Sequence, residues 1–208
     1  MTRIAGILLA AGRGTRFGGD KLLAPLPDGA LTMPAGTAMG VAAATHLASA
    51  LPGSIAVVRV GDAALADALR HSGLRIVSCA SADEGMGRSL ASGVMATSGA
   101  AGWVVALADM PWIAAATIRA VADALGEGAS IVAPRYRGAR GHPVAFSRRH
   151  FAALCALQGD EGARSIVAAH SDELKLLDVD DAAIVRDVDT PAALSTDHEQ
   201  ARLGGRIE

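Results

Sequence analysis

The sequence is poor in aromatic residues, which make up only 3% of its 208 positions. Large rings supply much of the buried area in many cores. Here the core has to be built from Ala, Val, Leu and Ile, which a hydrophobic share of 51% can provide. A chain of this length fits one substantial domain. We expect a single domain over residues 1–195 and a polar tail over residues 196–208.

Cysteine is equally scarce. Cys79 and Cys155 stand alone, with no CxxC pair, which argues against a disulfide framework and is typical of the reducing cytoplasm. The six histidines are scattered, and none has the spacing of a zinc site. No Ser/His/Asp or Cys/His triad stands out either. The sequence therefore predicts a cytoplasmic protein without zinc or hydrolytic chemistry.

An excess of positive charge is also missing. The formal net charge is −2 and the isoelectric point is about 6.3. No basic stripe alternates with aromatic residues, so we expect no nucleic-acid partner. The cations are local instead, because Arg13, Arg16 and Lys21 lie within one short glycine-rich segment. This distribution favours a small anionic ligand.

The chain has no long apolar run suited to a membrane. Residues 29–58 and 89–108 carry no formal charge, but two prolines interrupt the first and a Thr-Ser-Gly turn interrupts the second. Both are rich in Ala and Gly, so we expect soluble core and no membrane partner. Residues 1–12 could be read as a signal peptide. Their apolar run is at the lower limit for one, and cleavage would disrupt the adjoining motif, so we favour a buried strand.

The apolar run at residues 4–10 ends abruptly at a segment rich in glycine, residues 12–19. Glycines let backbone N–H groups approach an anion closely, and the neighbouring cations supply charge. This order predicts a strand that runs into a phosphate-binding loop. It is not a P-loop, because Leu22 follows Lys21, and Phe17 stands where a dinucleotide fingerprint needs its third glycine.

Strand and helix patterns alternate along the chain. Six apolar segments without helical spacing predict strands, and these are separated by segments with helical spacing. Strands this apolar are buried on both faces, so their sheet should be mostly parallel. The predicted fold class is α/β, a Rossmann-like three-layer sandwich with a mostly parallel central sheet and helices on both faces. The strands are 4–10, 55–60, 74–77, 103–108, 130–133 and 174–179, and the helices are 36–50, 63–71, 86–96, 114–125, 151–157 and 162–169. Residues 134–143 are predicted as a loop or short ribbon.

Asp109 directly follows the most apolar predicted strand. Ligands of such sheets bind beyond the carboxyl ends of the strands, and Mg²⁺ takes one or two protein carboxylates together with phosphate oxygens. A second carboxylate is available at Asp187 or Asp189, far along the chain. By itself, Asp189 is better explained as a helix N-cap, since Pro191 suits the first turn.

Two further segments have residues suited to ligand binding. Residues 85–90 open a predicted helix, whose free N–H groups can bind a base edge or a phosphate; Ser89 there is either a ligand or a cap. His142 follows Arg135, Arg137 and Arg140. Such a cluster suits an acceptor phosphomonoester, although a His before Pro can also serve as a turn residue.

Five segments, in order, resemble the motifs of the MobA-like nucleotidyltransferases. They are Leu-Ala-Ala-Gly with Lys-Leu-Leu at 9–23, Gly-Met-Gly-Arg-Ser-Leu at 85–90, Gly-His-Pro at 141–143, Gly-Asp-Glu-Gly-Ala-Arg at 159–164 and Asp-Val-Asp-Thr-Pro at 187–191. Gly14 and Phe17 depart from the usual Ser and Met. Ala11, together with the third and fourth motifs, resembles the molybdenum cofactor cytidylyltransferase branch.

This resemblance implies a Mg²⁺-dependent transferase that moves CMP from CTP to the terminal phosphate of molybdenum cofactor (molybdopterin) and releases pyrophosphate. It favours metal binding at Asp189 over capping and places residues 85–90 at the nucleotide base. The expected partners are CTP, a molybdopterin-type acceptor and a molybdenum enzyme or its chaperone. The candidate residues are Lys21, Arg16 and Asp109 for catalysis; Leu9, Ala10, Ala11, Gly12, Gly14, Arg16, Lys21, Gly85 and Ser89 for the nucleotide; Asp109 and Asp189 for the metal; and Arg137, Arg140 and His142 for the acceptor.

Two other functions remain open. A non-catalytic accessory that binds and delivers molybdenum cofactor would need the basic segment 135–142 but neither Asp109 nor Asp189. An NAD(P)-dependent oxidoreductase on a Rossmann-like sheet would need the third glycine and a ribose-binding acid, and neither is evident.

Overall fold

The computed structural model describes residues 3–12, 14, 17, 20–27, 33–191 and 194, and the tail at 196–208 lies outside them. In this part of the chain, strands and helices alternate much as predicted. The strands are β1 (Ile4–Leu9), β2 (Ile55–Arg59), β3 (Arg75–Cys79), β4 (Gly102–Leu107), β5 (Ile131–Tyr136), β6 (Ala139–Arg140), β7 (Val144–Ser147) and β8 (Leu174–Asp178). The helices are α1 (Met39–Ala50), α2 (Ala63–His71), α3 (Met86–Ala96), α4 (Ala115–Gly126), α5 (Phe151–Cys155) and α6 (Arg164–Ala169).

The strands form one sheet of eight in the order β3-β2-β1-β4-β7-β5-β6, and β8 pairs with β5. β1 to β4 are mutually parallel, and β5 and β8 are parallel to each other. The predicted three-layer α/β sandwich with a mostly parallel sheet is confirmed. Because β1 pairs with β4 from Ile4↔Gly102 to Leu9↔Leu107, the loops after both strands leave at the same edge. That edge carries the candidate site.

Alternate residues of the central strands point into two separate helical layers, as the period of a strand requires. Leu8, Val58 and Val104 pack with α1, α2 and α4. Ile7, Val57 and Trp103 pack against the opposite layer, built from α3, α5 and α6. Trp103 and Phe146 are two of the few aromatic residues, and both lie fully in this second layer. Most of the remaining core is Ala, Val, Leu and Ile, as the composition predicts.

The two uncharged stretches and β1 contribute to the core: residues 29–58, where the structure describes them, contain α1 and most of β2. β1 lies between β2 and β4 in the middle of the sheet, in agreement with the buried-strand interpretation of the first residues. Residues 89–108 span most of α3 and β4. Within the part of the chain that the structure describes, no helix is long and apolar enough to cross a membrane.

The sequence interpretation missed β7, which runs antiparallel between β4 and β5. Its four residues directly follow Pro143, in a segment whose Gly-His-Pro pattern indicates a turn. Residues 134–140 form the predicted ribbon, since β6 pairs with the end of β5. The consequence for the site is that the turn at 141–143 leads into a strand beside β4, which brings it close to Asp109.

Candidate active site

Lys21 joins the two candidate metal ligands. Its Nζ donates a hydrogen bond to Asp109 Oδ2 at 2.9 Å and to Asp189 Oδ1 at 3.3 Å. The lysine is 9% exposed, whereas the side chains of Asp109 and Asp189 are 29% and 54% exposed. Three residues that are distant in the sequence thus form one charged cluster, with its carboxylates open to solvent and its ammonium largely enclosed.

The segment 187–189 reaches this position through its backbone and one buried side chain. Val188 N donates to Asp109 O at 3.0 Å. Val188 is fully buried in a small cluster with Leu26, Met39, Ala42 and Leu194. This packing fixes Asp189 beside the end of β4. Pro191 is the first helical residue after it, so Asp189 stands two positions before the helix.

Gly12 and Gly14, from the glycine-rich segment, line a cleft with a volume of about 1190 Å³ at the carboxyl ends of β1, β2 and β4. Lys21 lies in a short 3-10 turn, residues Lys21–Leu23, that follows the loop and faces the same cleft. Arg16, together with Arg13, falls outside the described residues. All the other predicted nucleotide-binding residues line the cleft: Leu9, Ala10, Ala11, Gly12, Gly14, Lys21, Gly85 and Ser89.

The structure excludes one interpretation of Ser89. The N-cap of α3 is Gly85, with φ of 109°, and no side chain caps this helix. Ser89 lies one turn further on and is 4% exposed, so it is not a helix cap. Its position in the lining of the cleft agrees with the alternative, in which the start of α3 faces a ligand.

Sequence reasoning missed Arg59 as a residue of the cleft. It ends β2, donates from Nη2 to Ala11 O at 2.9 Å and forms an ion pair with Asp83 through Nη1. It therefore links the start of the glycine loop to the segment that precedes α3. A charged residue at the end of an otherwise apolar strand was the signal available in the sequence, because strand ends are where such sheets bind ligands.

The structure only partly assembles the predicted acceptor residues. Burial is the main cause that lowers the pKa of His142. The negative charges of Asp109 and Asp187 raise this pKa, whereas the positive charges of Arg164 and Arg140 lower it further. These charged groups therefore surround His142. Its backbone N donates to Ile184 O at 2.8 Å, and its buried Nδ1 has no hydrogen-bond partner in the described part of the chain. Arg137 instead lies at the exposed tip of the β5–β6 ribbon, over the ring of Tyr136 at 5.1 Å.

The donor set at Lys21 suits a magnesium-like ion. No group of three or more His, Cys, Asp or Glu among residues 3–191, as far as they are described, could hold a metal. Two carboxylates that share one ammonium do fit an ion that takes one or two protein ligands and completes its shell with water and phosphate. Asp109 and Asp189 are the residues that would hold it, at the cleft that Gly12 and Gly14 line.

The comparisons with known proteins agree with this geometry. The model of the MobA-like NTP transferase domain matches residues 6–174. The purine catabolism protein PucB of Bacillus subtilis (strain 168) is 32% identical over 205 residues, which are 90% of this chain and 92% of that protein.

Two solved structures of Rv0371c from Mycobacterium tuberculosis H37Rv are also similar. The first is 31% identical with a TM-score of 0.79, and the match covers 95% of this chain and 98% of the other. The second, a complex with manganese, is 30% identical with a TM-score of 0.75, and the match covers 95% and 99%. The family prediction is confirmed: this chain is a nucleotidyltransferase that belongs to the MobA-like NTP transferase domain family.

Proposed function

We propose that the protein transfers CMP from CTP to the terminal phosphate of a molybdopterin-type cofactor and releases pyrophosphate, in a Mg²⁺-dependent reaction. The observation that carries the proposal is the contact of Lys21 with both Asp109 and Asp189 at the mouth of a cleft lined by the glycine-rich loop. In a chain of this family, that arrangement suits a nucleoside triphosphate with its charged end at Lys21 and its base toward Gly85 and Ser89.

The proposed reaction needs no strong general base. A phosphate oxygen of the acceptor is already a nucleophile, so catalysis rests on positioning and on electrostatic stabilisation. Lys21 supplies a cation at the phosphate end of the cleft, and we assign Arg16 the same role. A divalent ion held by Asp109 and Asp189 would neutralise charge on the transferring and leaving phosphates. The manganese complex of the related Rv0371c supports a divalent ion here.

The cytidine assignment rests on small side chains and on the branch motifs. Ala10, Ala11 and Gly12 let a base lie against the backbone at the end of β1. Gly-His-Pro at 141–143 and Gly-Asp-Glu-Gly-Ala-Arg at 159–164 both resemble the cytidylyltransferase branch. We place the acceptor against Arg137, Arg140 and His142, since it needs cations other than those that face the triphosphate. Of these, Arg140 is close enough for its positive charge to act on His142. Arg137 lies apart from them, over the ring of Tyr136.

The same proposal covers the whole domain and its compartment. We assign residues 1–195 to a single nucleotidyltransferase domain, supported by the one sheet that β1 to β8 share. We assign the protein to the cytoplasm, where its free Cys79 and Cys155 are expected to stay reduced. A molybdenum enzyme or its chaperone is the partner that would receive the product.

Neither rival function fits as well. A delivery protein has no use for the two carboxylates that the structure brings onto Lys21. An oxidoreductase would need the dinucleotide fingerprint that Phe17 interrupts.

Calorimetry with CTP, GTP, ATP and NAD(P) in the presence of Mg²⁺ tests the nucleotide. CTP should bind more tightly than GTP, and a clear preference for GTP would overturn the cytidylyl assignment while leaving the family intact. Binding of NAD(P) alone would favour the oxidoreductase.

Pyrophosphate release from CTP and molybdenum cofactor then tests the reaction. His142→Ala should raise the acceptor KM and leave the CTP affinity almost unchanged, because it removes an interaction with one substrate only. His71→Ala, at the exposed end of α2, is the matched control. Cofactor binding without pyrophosphate release would favour a delivery protein, and a His142→Ala variant that weakens both substrates together would assign His142 to the turn.

A further inference from the structure

The loop between α5 and α6 packs onto the start of α3 and reaches the nucleotide cleft. Gly87 N donates to Gly159 O at 2.8 Å. A Cβ on Gly85 would lie 2.7 Å from Asp160 Oδ1, and one on Gly87 would lie 2.7 Å from Gln158 O. The start of α3 and residues 158–160 are therefore in direct backbone contact. This contact fixes Asp160 in the lining of the cleft.

Asp160 differs from most carboxylates around it. Among the described residues, five aspartates line the cleft, and three have defined partners: Asp62 accepts from Leu65 N, Asp83 pairs with Arg59, and Asp109 pairs with Lys21. Asp20 directly precedes Lys21, at the phosphate end. Asp160 is exposed and has no hydrogen bond or ion pair with any residue that the structure describes.

An unpartnered carboxylate in this cleft restricts what can lie beside it. It repels phosphates, so away from the cation of Lys21, which adjoins Asp20, it suits only the part of a nucleotide that donates hydrogen bonds. An apolar side chain lies beside the same loop. Met86 is 43% exposed, and its Sδ packs 3.1 Å from the site of a Cβ on Gly162. Val60, which follows β2, is another exposed apolar residue in the lining of the cleft. An apolar surface beside a carboxylate suits the face of a planar base and the amine on its edge, more than the hydroxyl groups of a ribose.

We infer that Asp160 is a specificity-determining residue that accepts a hydrogen bond from the exocyclic N4 amine of cytosine. A carboxylate is a suitable acceptor for this amine, as in the recognition of cytosine in DNA. Uracil presents a carbonyl oxygen at the same position, which Asp160 would repel. The inference rests on the proposed use of CTP and deepens it, because it names the atom by which the base is selected.

Binding of CTP, UTP and dCTP to the wild type and to Asp160→Ala tests the inference. The variant should bind CTP about tenfold more weakly and UTP no more weakly, so the ratio of the two affinities falls by about the same factor. Glu161→Ala is the matched control. Glu161 is the next residue, is also exposed and is not part of the described cleft lining, so this variant should keep the wild-type ratio.

The outcomes separate the inference from the proposed function. A wild type that prefers CTP to UTP, with an Asp160→Ala variant that keeps this preference, overturns the inference alone. Equal weakening of CTP and UTP also overturns it. If the wild-type preference for CTP over dCTP disappears in the variant while that over UTP persists, Asp160 binds the ribose and the inference is wrong. A wild type that does not prefer CTP to UTP overturns both.

Discussion

Lys21 is the residue that organises the charged end of the cleft. It is 9% exposed and donates to two carboxylates. A largely buried ammonium needs such partners, because an unpaired charge is costly away from water. The same pairing holds the carboxylates of Asp109 and Asp189 close to each other, because both accept hydrogen bonds from the Lys21 ammonium. The arrangement therefore serves the fold and presents two oxygen ligands to a cation.

Asp109→Asn and Asp189→Asn should each lower turnover by about a hundredfold or more, because each removes a charged ligand from a metal that neutralises the transition state. Their melting temperatures should stay near that of the wild type, since the amide oxygen can still accept from Lys21. Steady-state pyrophosphate release and thermal unfolding measure the two effects. Asp123→Asn, an exposed residue of α4 outside the cleft, is the control. Asn caps a helix as well as Asp does, so Asp189→Ala tests the capping role: normal turnover with a lowered melting temperature would identify Asp189 as a capping residue.

At the scale of elements, the start of α3 depends on glycine for a steric reason. Gly87 lies against the backbone of Gln158, with a Cβ position less than 3.0 Å from its O, N and C atoms. Backbone atoms cannot move aside as a flexible side chain can. Alanine would gain about 1 kcal/mol of helix propensity at such a position, whereas overpacking against a fixed neighbour costs about 1–3 kcal/mol. The steric cost should prevail.

Gly87→Ala should therefore lower the free energy of unfolding and weaken CTP binding, because it displaces residues 158–160 from the cleft. Thermal unfolding with and without CTP measures both. Gly99→Ala is the matched control, since a Cβ there meets nothing within 4 Å. Its stability should stay within about 0.5 kcal/mol of the wild type. A Gly87→Ala variant as stable as this control would show that residues 158–160 can move aside with no loss in the free energy of unfolding.

At the scale of the whole molecule, buried histidines couple folding to pH. Burial lowers the pKa of His46 and of His150 below the usual value of 6.5. His150 also contacts Ser130 Oγ at 2.9 Å and stacks edge-on with His170. In the unfolded chain both would titrate near about pH 6.5. Below that pH the unfolded state binds more protons than the folded state, so acidification favours unfolding.

The free energy of unfolding should accordingly fall as the pH drops from about 7.5 to about 5.5. Denaturant titrations across this range measure the slope. His150→Gln should make it shallower, because it removes one of the three histidines, with His46 and His142, whose pKa burial lowers. Gly99→Ala, which changes no titratable group and meets nothing within 4 Å, should leave it unchanged. A free energy of unfolding that is constant or rises on acidification would contradict the prediction.

The sequence alone determined the elements and the family. Continuously apolar strands that alternate with segments of helical spacing predicted the layers, because a strand buried on both faces has no polar face. The helices α2 and α3 have the predicted bounds. Motif order identified the family, and all the predicted nucleotide-binding residues that the structure describes line one cleft. The pattern could not reveal β7, because four residues after a Gly-His-Pro turn are too few to show a period.

Tertiary structure decided which distant groups meet. Lys21 and Asp189 are 168 residues apart, and only the packing of Val188 beside the end of β4 brings them together. The contact of residues 158–160 with α3 likewise depends on glycines that leave no space for a Cβ, a relation between two backbones that neither segment shows by itself. Local sequence sets the conformation of each segment, whereas contacts between segments depend on how the two helical layers pack on the sheet.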